Sequence, residues 1–259
     1  MVAAMSRLSG VFAQFLTATT VLTRLPVASR EPEGAPQEGV VAASCWAFPA
    51  VGAGIGFLAA GAMMLATLFG LHNAAAALFG LVAAGLVTGA MHEDGLADTA
   101  DGFGGGKTRD EKLAIMRDSR QGSYGIIALI VTIGLRAVAL TTIGDPIDGA
   151  LALIAAHAAS RAALPPALYL MRPAREDGLG ATAGRPTLTA TLVAIAIGAA
   201  VALAMLGPLR GVVALIVMGA AVAGAAVLAQ RQIGGYTGDV LGAFQQIGEI
   251  VMLLVAAAR

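Results

Sequence analysis

The chain has little charge, few aromatic residues and a single cysteine. Of its 259 residues only 12% are charged and 5% are aromatic, whereas a typical soluble domain is about 25% charged. The lone Cys45 excludes an intrachain disulfide and a cysteine-based zinc site. Lys plus Arg and Asp plus Glu number 16 each, so there is no surplus of positive charge and we expect no nucleic-acid partner.

Apolar sequence, by contrast, is abundant: 58% of the residues are hydrophobic and the mean hydropathy is +0.81. Seven apolar stretches approach the ~20 residues needed to cross a bilayer core. In lipid the backbone must satisfy its hydrogen bonds within the segment, so each stretch is predicted as a helix. The sequence therefore predicts an all-α, polytopic membrane bundle that forms a single domain over residues 1–259. The predicted spans are 47–70, 73–91, 124–144, 149–171, 187–207, 210–230 and 240–258.

The N-terminal region predicts a further helix at residues 9–23. It is short for a span and contains Gln14 and four threonines, which indicates a polar-faced or partly re-entrant helix. The total is therefore about seven to eight membrane helices. The same polar residues argue against a signal peptide. Residues 24–46 contain three prolines and are predicted as a loop.

The loops between these spans differ in their content of Lys and Arg. Taken alternately, one set of loops holds 11 basic residues and the other set holds two. Because basic loops tend to stay in the cytoplasm, the first set is predicted to be cytoplasmic. That set includes residues 92–123, the loop from Arg172 to Arg185 and the turn at 234–239. The predicted active site, with a catalytic loop at about 92–123, therefore lies on the cytoplasmic face of the cell membrane.

The most acidic stretch, residues 92–102, contains four acids within nine residues. In a helix, Asp94, Asp98 and Asp101 would share one narrow stripe, where like charges repel. A cation on the stripe would relieve that repulsion, and a ligand set made only of oxygen suits Mg²⁺. We therefore predict a magnesium site at these three aspartates, with Glu93 as a weaker fourth ligand. The alternative is a solvated acidic loop.

The glycine-rich stretch after the acids, residues 102–108, has some likeness to a phosphate-binding P-loop but does not match its pattern. The position of the first glycine is occupied by Asp101, and no buried strand precedes the stretch. A glycine-rich turn whose backbone N–H groups approach a phosphate remains open as an alternative.

Thr108 and Glu111 have the spacing of a capping box, which predicts a helix that begins at Arg109 and ends at Ser119. Its basic residues, and those of the turn that follows, either meet lipid headgroups or hold phosphate oxygens brought to the metal. The candidate phosphate ligands in this region are Lys112, Arg117 and Arg120.

Charged residues also lie inside the predicted spans. An arginine in the middle of a bilayer costs at least ~2.5 kcal/mol on insertion scales, so it normally faces a polar cavity or a partner. Arg161 is accordingly predicted either to contact substrate or to pair with an acid of another span, such as Glu249. His157, one turn earlier, is predicted as a packed histidine rather than a ligand. Asp239, at the start of the last span, either caps that helix or adds a second-site carboxylate.

Two motifs carry a resemblance to a known family. Residues 92–102 (HEDGLADTADG) and 115–125 (IMRDSRQGSYG) are similar to stretches of the cobalamin synthases, the adenosylcobinamide-GDP ribazoletransferases. The resemblance covers nearly the whole chain in the right order, although Gln121 stands where an apolar residue is expected. The other matching segments are 22–27, 48–52 and 235–243.

The resemblance implies an integral-membrane, Mg²⁺-dependent transferase at the last assembly step of cobalamin biosynthesis. Its substrates would be adenosylcobinamide-GDP and α-ribazole or α-ribazole 5′-phosphate, and GMP would leave. Such a transfer needs positioning and charge neutralisation, which Mg²⁺ and basic side chains supply. A carboxylate would accept the proton of the attacking hydroxyl, and the candidates are Asp118 and Asp239. Other membrane enzymes of the pathway are candidate partners, and a homo-oligomer is left open.

Two other functions fit the same features less fully. A Mg²⁺-dependent phosphotransferase or prenyltransferase that acts on a diphosphate lipid would also carry spaced aspartates on membrane helices. A transporter would use acids and intramembrane arginines as an ion or substrate pathway. In this chain, however, the acids cluster at one predicted membrane face and the sequence shows no paired halves.

Overall fold

The structure is a computed structural model that describes residues 2–27 and 39–258, and within these ranges the chain is helical and forms no strand. One isolated backbone bridge in these ranges joins Pro173 to Tyr236. The helices are α1 Val2–Leu22, α2 Val40–Ser44, α3 Phe48–Leu68, α4 Asn73–Thr88, α5 Met91–Gly105, α6 Arg109–Ile115, α7 Ser123–Ile143, α8 Pro146–Ala162, α9 Leu164–Leu170, α10 Leu179–Thr182, α11 Leu188–Leu206, α12 Pro208–Ile233 and α13 Gly238–Ala257.

Among the described residues, six helical stretches are long and apolar enough to cross a membrane. A seventh span results if α4 and α5, which meet at a 90° bend, are counted as one. These findings confirm the all-α polytopic bundle, at the lower end of the predicted number of helices. The apolar part of α1, Gly10–Leu22, is shorter than the six. The six stretches are Val40–Leu68, Ser123–Ile143, Pro146–Leu170, Leu188–Leu206, Pro208–Ile233 and Gly238–Ala257.

Large apolar side chains project outward from these helices. Phe57 is 69% exposed, Leu86 is 74% exposed and Ile130 is 66% exposed, and each lies on a different helix. Monomeric water-soluble proteins rarely expose this much apolar surface, whereas lipid tails provide a suitable environment for it. The outward faces of the helices therefore fit a bundle that is surrounded by lipid.

The start of the first long span differs from the prediction. Residues 24–46 are predicted as a loop, but Val40–Ser44 form α2 and the chain continues through a short 3-10 turn into α3. Because the valines and alanines of α2 are as apolar as the span itself, the membrane candidate begins at Val40. The middle of the predicted loop, residues 28–38, lies outside the described residues.

The predicted span at 73–91 is shorter than expected. α4 ends at Thr88, and Gly89 and Ala90 adopt positive φ angles of 65° and 54°. Left-handed backbone ends an α-helix and redirects the chain. Here it turns the acidic stretch by 90° into a helix of its own, α5. The predicted catalytic loop at about 92–123 is therefore largely helical.

The observed ends of α6 and α8 agree only in part with the ends predicted from local sequence patterns. The capping box of α6 forms as predicted: the Thr108 hydroxyl accepts a hydrogen bond from the Glu111 N–H, and the Glu111 carboxylate accepts one from the Thr108 N–H. α6 nevertheless ends at Ile115, earlier than the predicted Ser119. The prolines after α8 break the helix as expected, because Pro165 lies in the first turn of the separate helix α9.

Small residues allow the central helices to pack closely. A Cβ atom at Gly52 of α3 would lie 2.3 Å from the carbonyl oxygen of His157 in α8, and one at Gly56 would lie 2.7 Å from the Cα of Ile154. Neither position has room for a side chain. In lipid, where apolar burial does not drive helices together, such close contact between backbones is a main source of packing energy. α3 and α8 thus form the centre of the bundle.

Three connecting segments meet at one end of the bundle. Arg109 donates hydrogen bonds to the carbonyl oxygens of Ile233, at 2.9 Å, and of Ala174. Arg117 forms an ion pair with Asp177 at 2.9 Å. The segment before α10 is also tied by backbone hydrogen bonds to the turn before α13. The loops that the distribution of Lys and Arg placed on one side of the membrane are therefore together in space.

Candidate active site

The acidic stretch forms a helix, and that helix packs against the start of the last span. Gly95 of α5 faces Asp239 so closely that a Cβ atom there would lie 2.8 Å from the Asp239 carbonyl oxygen. One turn further along α13, a Cβ atom at Gly242 would lie 3.2 Å from the Cα of His92. Glycine at both positions lets the two backbones touch. This contact brings Asp239 to the helix that carries Asp94.

Asp94, Asp98 and Asp239 form a cluster of carboxylates, which we call the acid cluster. Asp98 is close enough to Asp94 and Asp239, and also to Asp101, for their like charges to repel it. Within the described residues neither Asp94 nor Asp98 forms an ion pair. Asp94 is exposed and Asp98 is partly exposed, so both reach solvent. The acid cluster therefore carries negative charge that the protein itself leaves largely uncompensated.

Asp239 has a positioned side chain. Its carboxylate accepts a hydrogen bond from the Thr237 hydroxyl at 3.1 Å and lies 3.4 Å from the guanidinium of Arg175. The residue that caps α13 is Thr237, whose hydroxyl accepts a hydrogen bond from the Val240 N–H at 3.2 Å. Because the cap is already supplied, Asp239 is not needed for that purpose. The geometry favours the second of the two predicted roles, a carboxylate added to the acidic site.

Asp101, the third aspartate of the predicted stripe, points to a different partner. Its two carboxylate oxygens accept hydrogen bonds from the N–H groups of Gly122, at 2.7 Å, and Gly125, at 2.9 Å. A Cβ atom at either glycine would lie 2.4 Å from this carboxylate. Asp101 is buried and caps the N-terminus of α7, where a negative charge is favourable. Both of its oxygens are therefore already engaged by backbone N–H groups.

Glu93, the weaker metal candidate, lies in a buried polar network within the bundle. It forms an ion pair with Arg136 at 3.2 Å and accepts a hydrogen bond from Gln246 at 3.1 Å. Arg136 also pairs with Glu249 at 2.9 Å, and both of these side chains are almost completely buried. Glu93 thus neutralises an intramembrane arginine and is separated from the acid cluster, although it adjoins Asp94 in the chain.

Arg161 and His157 belong to the same buried network. Arg161 is 1% exposed, and its guanidinium lies 3.0 Å from the ring nitrogen Nδ1 of His157. That nitrogen lies 3.1 Å from the Glu249 carboxylate. Among the described residues Arg161 forms no direct ion pair with Glu249, contrary to the predicted pairing; His157 lies next to both, and Arg136 pairs with this acid. His157 is packed in the core, as expected.

The basic residues predicted to hold phosphate are each engaged with protein partners. Lys112 donates a hydrogen bond to the side-chain oxygen of Gln232, and Arg117 pairs with Asp177. Arg120 pairs with Asp118 at 2.6 Å. Its guanidinium lowers the pKa of the Asp118 carboxyl to about 2, which makes Asp118 a weak proton acceptor. The phosphate-binding roles of these cations, and of Arg161, remain predictions.

The glycines that follow the acids do not form a phosphate cradle. Gly102, Gly104 and Gly105 lie within α5, so the helix engages their backbone N–H groups. Gly106, just beyond the helix, donates its N–H to the Gly102 carbonyl at 3.1 Å. A Cβ atom at Gly104 would lie 2.7 Å from the ring of Tyr124. Close packing explains these glycines without a bound phosphate, and the absence of a P-loop agrees with the sequence prediction.

A cavity of about 510 Å³ opens beside the acid cluster. Asp94 and Asp239 line it, together with His92, Arg24 and Arg175. These last three residues are not among the predicted site residues. The available signals were the position of Arg24 in one of the family-like segments and the position of Arg175 in a basic loop on the same predicted face.

The donor chemistry of the acid cluster suits Mg²⁺. Among the described residues no three His, Cys, Asp or Glu side chains stand around one point in ligating geometry. Mg²⁺ is commonly held by one or two carboxylates plus substrate phosphates rather than by a cage of protein ligands alone. Asp94, Asp98 and Asp239 offer only oxygen donors and carry unbalanced charge, so they fit that pattern.

Comparison with known proteins points in one direction. The family model described as cobalamin-5-phosphate synthase matches residues 14–257. An adenosylcobinamide-GDP ribazoletransferase of Bradyrhizobium diazoefficiens is 49% identical over 248 residues, which cover 96% of this chain and 94% of that protein. A protein of the same name from Mesorhizobium japonicum is 46% identical over 235 residues, or 91% and 89% of the two chains. No solved structure matches the chain.

Proposed function

The chain belongs to the cobalamin-5-phosphate synthase family, and we propose that it is an adenosylcobinamide-GDP ribazoletransferase. It joins adenosylcobinamide-GDP to α-ribazole or α-ribazole 5′-phosphate and releases GMP. The observation that carries this proposal at the level of chemistry is the acid cluster: Asp94 and Asp239 line a cavity of suitable size, and Asp98 lies near enough to both to feel their charge. A diphosphate substrate needs such a site because its charge must be neutralised before transfer.

The reaction places simple demands on the site. A hydroxyl oxygen of α-ribazole forms a bond to the phosphorus nearest the cobinamide, and the bond from that phosphorus to the GMP oxygen breaks. Asp94 and Asp98 would hold Mg²⁺, which when bound supplies neutralisation of charge on the diphosphate and on the departing GMP. Arg175 lines the cavity beside Asp239 and is placed to bind a remaining oxygen of the diphosphate.

The hydroxyl loses a proton as it attacks, and Asp239 is the better placed acceptor. It lines the cavity and is oriented by Thr237, whereas Asp118 is held by Arg120 with its pKa lowered to about 2. A carboxylate with so low a pKa has little tendency to take a proton at neutral pH. We assign general-base catalysis to Asp239 and a structural role in the turn to Asp118.

The function is tested by the release of GMP from adenosylcobinamide-GDP by the purified protein in lipid nanodiscs. Release should require both α-ribazole and Mg²⁺, and the corrinoid product should contain α-ribazole. Asp148→Asn is a matched control because Asp148 is an exposed acid at the start of α8. A folded protein that releases no GMP, or that instead consumes a diphosphate lipid, would refute the assignment.

We further propose that the end of the bundle with the acid cluster faces the cytoplasm at the cell membrane. The gathered basic loops support this orientation. Lys107→Cys and Glu176→Cys should be protected from an impermeant thiol reagent in intact cells, while Asp148→Cys should react. The native Cys45 is buried and gives little background. Labelling in the reverse pattern would overturn the orientation.

A further inference from the structure

The cavity beside the acid cluster has two kinds of lining. Its charged lining consists of Asp94, Asp239, Arg24 and Arg175. Most of the remaining surface is apolar, and its residues include members of α1, α2, α3 and α9. A ligand that fits it needs an apolar body and a polar, hydroxyl-bearing or phosphate-bearing end. The apolar side chains include Leu22, Val41, Phe48, Leu164 and Leu168.

The three threonines in the lining do not make the apolar part polar. Thr20 donates its hydroxyl to the Leu16 carbonyl at 3.0 Å, and Thr23 donates to the Thr19 carbonyl at 2.7 Å. Thr88 in the same way donates to a carbonyl one turn back in α4. Each hydroxyl proton is therefore used within the backbone of its own helix. The lining offers no free hydroxyl donor from these residues to a polar heterocycle.

His92 differs from the apolar lining residues because it has a buried polar side chain with an unpaired nitrogen. It is 3% exposed, it lines the cavity, and its Nδ1 atom has no hydrogen-bond partner among the described residues. Nη1 of Arg175 is likewise buried without a partner. Buried polar groups are nearly always hydrogen-bonded in native proteins. Two residues of the lining therefore hold unpaired polar atoms, although neither atom is itself open to the cavity.

Size separates the two substrates of the proposed reaction. A volume of about 510 Å³ lies within the range of sites for drug-sized ligands, roughly 300–1,000 Å³. α-Ribazole, a benzimidazole joined to one ribose, is a molecule of that class. Adenosylcobinamide-GDP carries a corrin ring, an adenosyl group and a guanosine diphosphate, and is too large to be enclosed. It can present only its diphosphate to the acid cluster.

We propose that this cavity is the binding subsite for α-ribazole, with the benzimidazole against the apolar lining and the ribose toward His92, Asp94 and Asp239. Burial of a flat apolar ring against Phe48 and Leu168 supplies binding free energy, and the carboxylates of Asp94 and Asp239 accept hydrogen bonds from the ribose hydroxyls. The ring has no amino group and keeps one unsubstituted ring nitrogen, so the apolar lining leaves only that polar atom of the base without a partner. This subsite rests on the proposed transferase function.

The apolar lining also determines which base of the riboside binds best. Adenine carries an amino group and additional ring nitrogens, which would lose water in this lining without gaining partners. The subsite therefore favours benzimidazole ribosides over purine ribosides. Arg24, which forms no ion pair within the described residues, is available for the 5′-phosphate of α-ribazole 5′-phosphate.

The test measures equilibrium binding of α-ribazole to the protein in nanodiscs, without adenosylcobinamide-GDP. Leu168→Trp fills the cavity and should raise the Kd about tenfold or more. Leu170→Trp is the matched control, because Leu170 lies on the same helix but is 76% exposed, and its Kd should not change. On the unmodified protein, free dimethylbenzimidazole should displace α-ribazole, and adenine at the same concentration should not.

Kinetic measurements then show whether the proposed subsite or the proposed transferase function is wrong. Leu168→Trp should raise KM for α-ribazole and leave KM for adenosylcobinamide-GDP unchanged. If the unmodified protein releases GMP but Leu168→Trp binds α-ribazole normally, or shifts only KM for the corrinoid, the subsite is wrong and the function stands. Equal displacement by adenine also refutes it. If α-ribazole binds as expected but no GMP is released, the transferase assignment is wrong.

Discussion

Glu93 and Asp94 are neighbours in the chain, yet they belong to two opposite electrostatic environments. Glu93 lies in the buried polar network, where Arg136 forms ion pairs with both Glu93 and Glu249. Asp94 belongs to the acid cluster, where the carboxylates repel one another and, among the residues that the structure describes, only Asp239 forms an ion pair with a cation. Adjacent residues of α5 therefore differ: within the described part of the chain, the charge of Glu93 is balanced by a cation, and the charge of Asp94 is not.

The difference follows from what burial permits. Removing an unpaired charge from water costs several kcal/mol, so acids in the bundle interior must have partners there. Acids at the edge of a solvent-filled cavity can remain unpaired because water screens them until a ligand arrives. Balanced charge therefore indicates a structural role, and residual repulsion indicates a binding site. Four predictions test this distinction, from the largest expected effect to the smallest.

Loss of one carboxylate from the acid cluster should have the largest effect on catalysis. Asp94→Asn and Asp98→Asn should each reduce GMP release by about 10³-fold, because charge neutralisation by a metal is worth several kcal/mol. Membrane insertion and thermal stability should not fall, since each substitution relieves repulsion. Substantial turnover in either variant would mean that these aspartates do not hold the metal.

Loss of a charge from the buried polar network should act on stability instead. Arg136→Met leaves Glu249 buried without its main partner and should destabilise the protein by about 3–5 kcal/mol, seen as a lower thermal midpoint. Arg136→Met combined with Glu249→Met should recover much of that loss. Arg210→Met, at an exposed position, is the control. A single variant as stable as the unmodified protein would show that the network is not structural.

Asp101 lies on the same helix as Asp94 and Asp98, but we expect it to have a structural role and not to bind the metal. If it caps α7, Asp101→Ala should lower stability by about 1 kcal/mol, as loss of a helix cap typically does. The dependence of the rate on Mg²⁺ concentration should then stay close to that of the unmodified protein. If the Mg²⁺ requirement instead rises steeply while stability is unchanged, Asp101 is a metal ligand and the original three-residue stripe is correct.

The smallest effect is expected for Asp118. Its pKa is held at about 2 by Arg120, so it stays ionised and accepts no proton at the pH of the reaction. Asp118→Asn should change GMP release by less than about tenfold and leave its pH profile unaltered, whereas Asp239→Asn should depress the rate and alter the profile. The opposite result would move the general base from Asp239 to Asp118.

Much of the candidate site could be predicted from the spacing of residues along the sequence. The spacing of Asp94 and Asp98 predicted a shared helix face, and α5 is a helix with these residues one turn apart. The capping box predicted the start of α6 correctly. Asp101 fits the same spacing equally well, and nothing in the sequence near it reveals that the N–H groups of Gly122 and Gly125 engage its carboxylate.

The sequence by itself determined the membrane character, the number of apolar spans within one or two, the family and the stretch that holds the acids. These properties depend on composition and on neighbours along the chain, which is where hydropathy and helix periodicity are read. Only the tertiary structure decided that Asp239 joins Asp94, that Arg136 neutralises Glu93, and that His92 lines a cavity with an unpaired nitrogen. Electrostatic compensation and ligand access depend on distance and burial in space, and these are set by how distant segments pack.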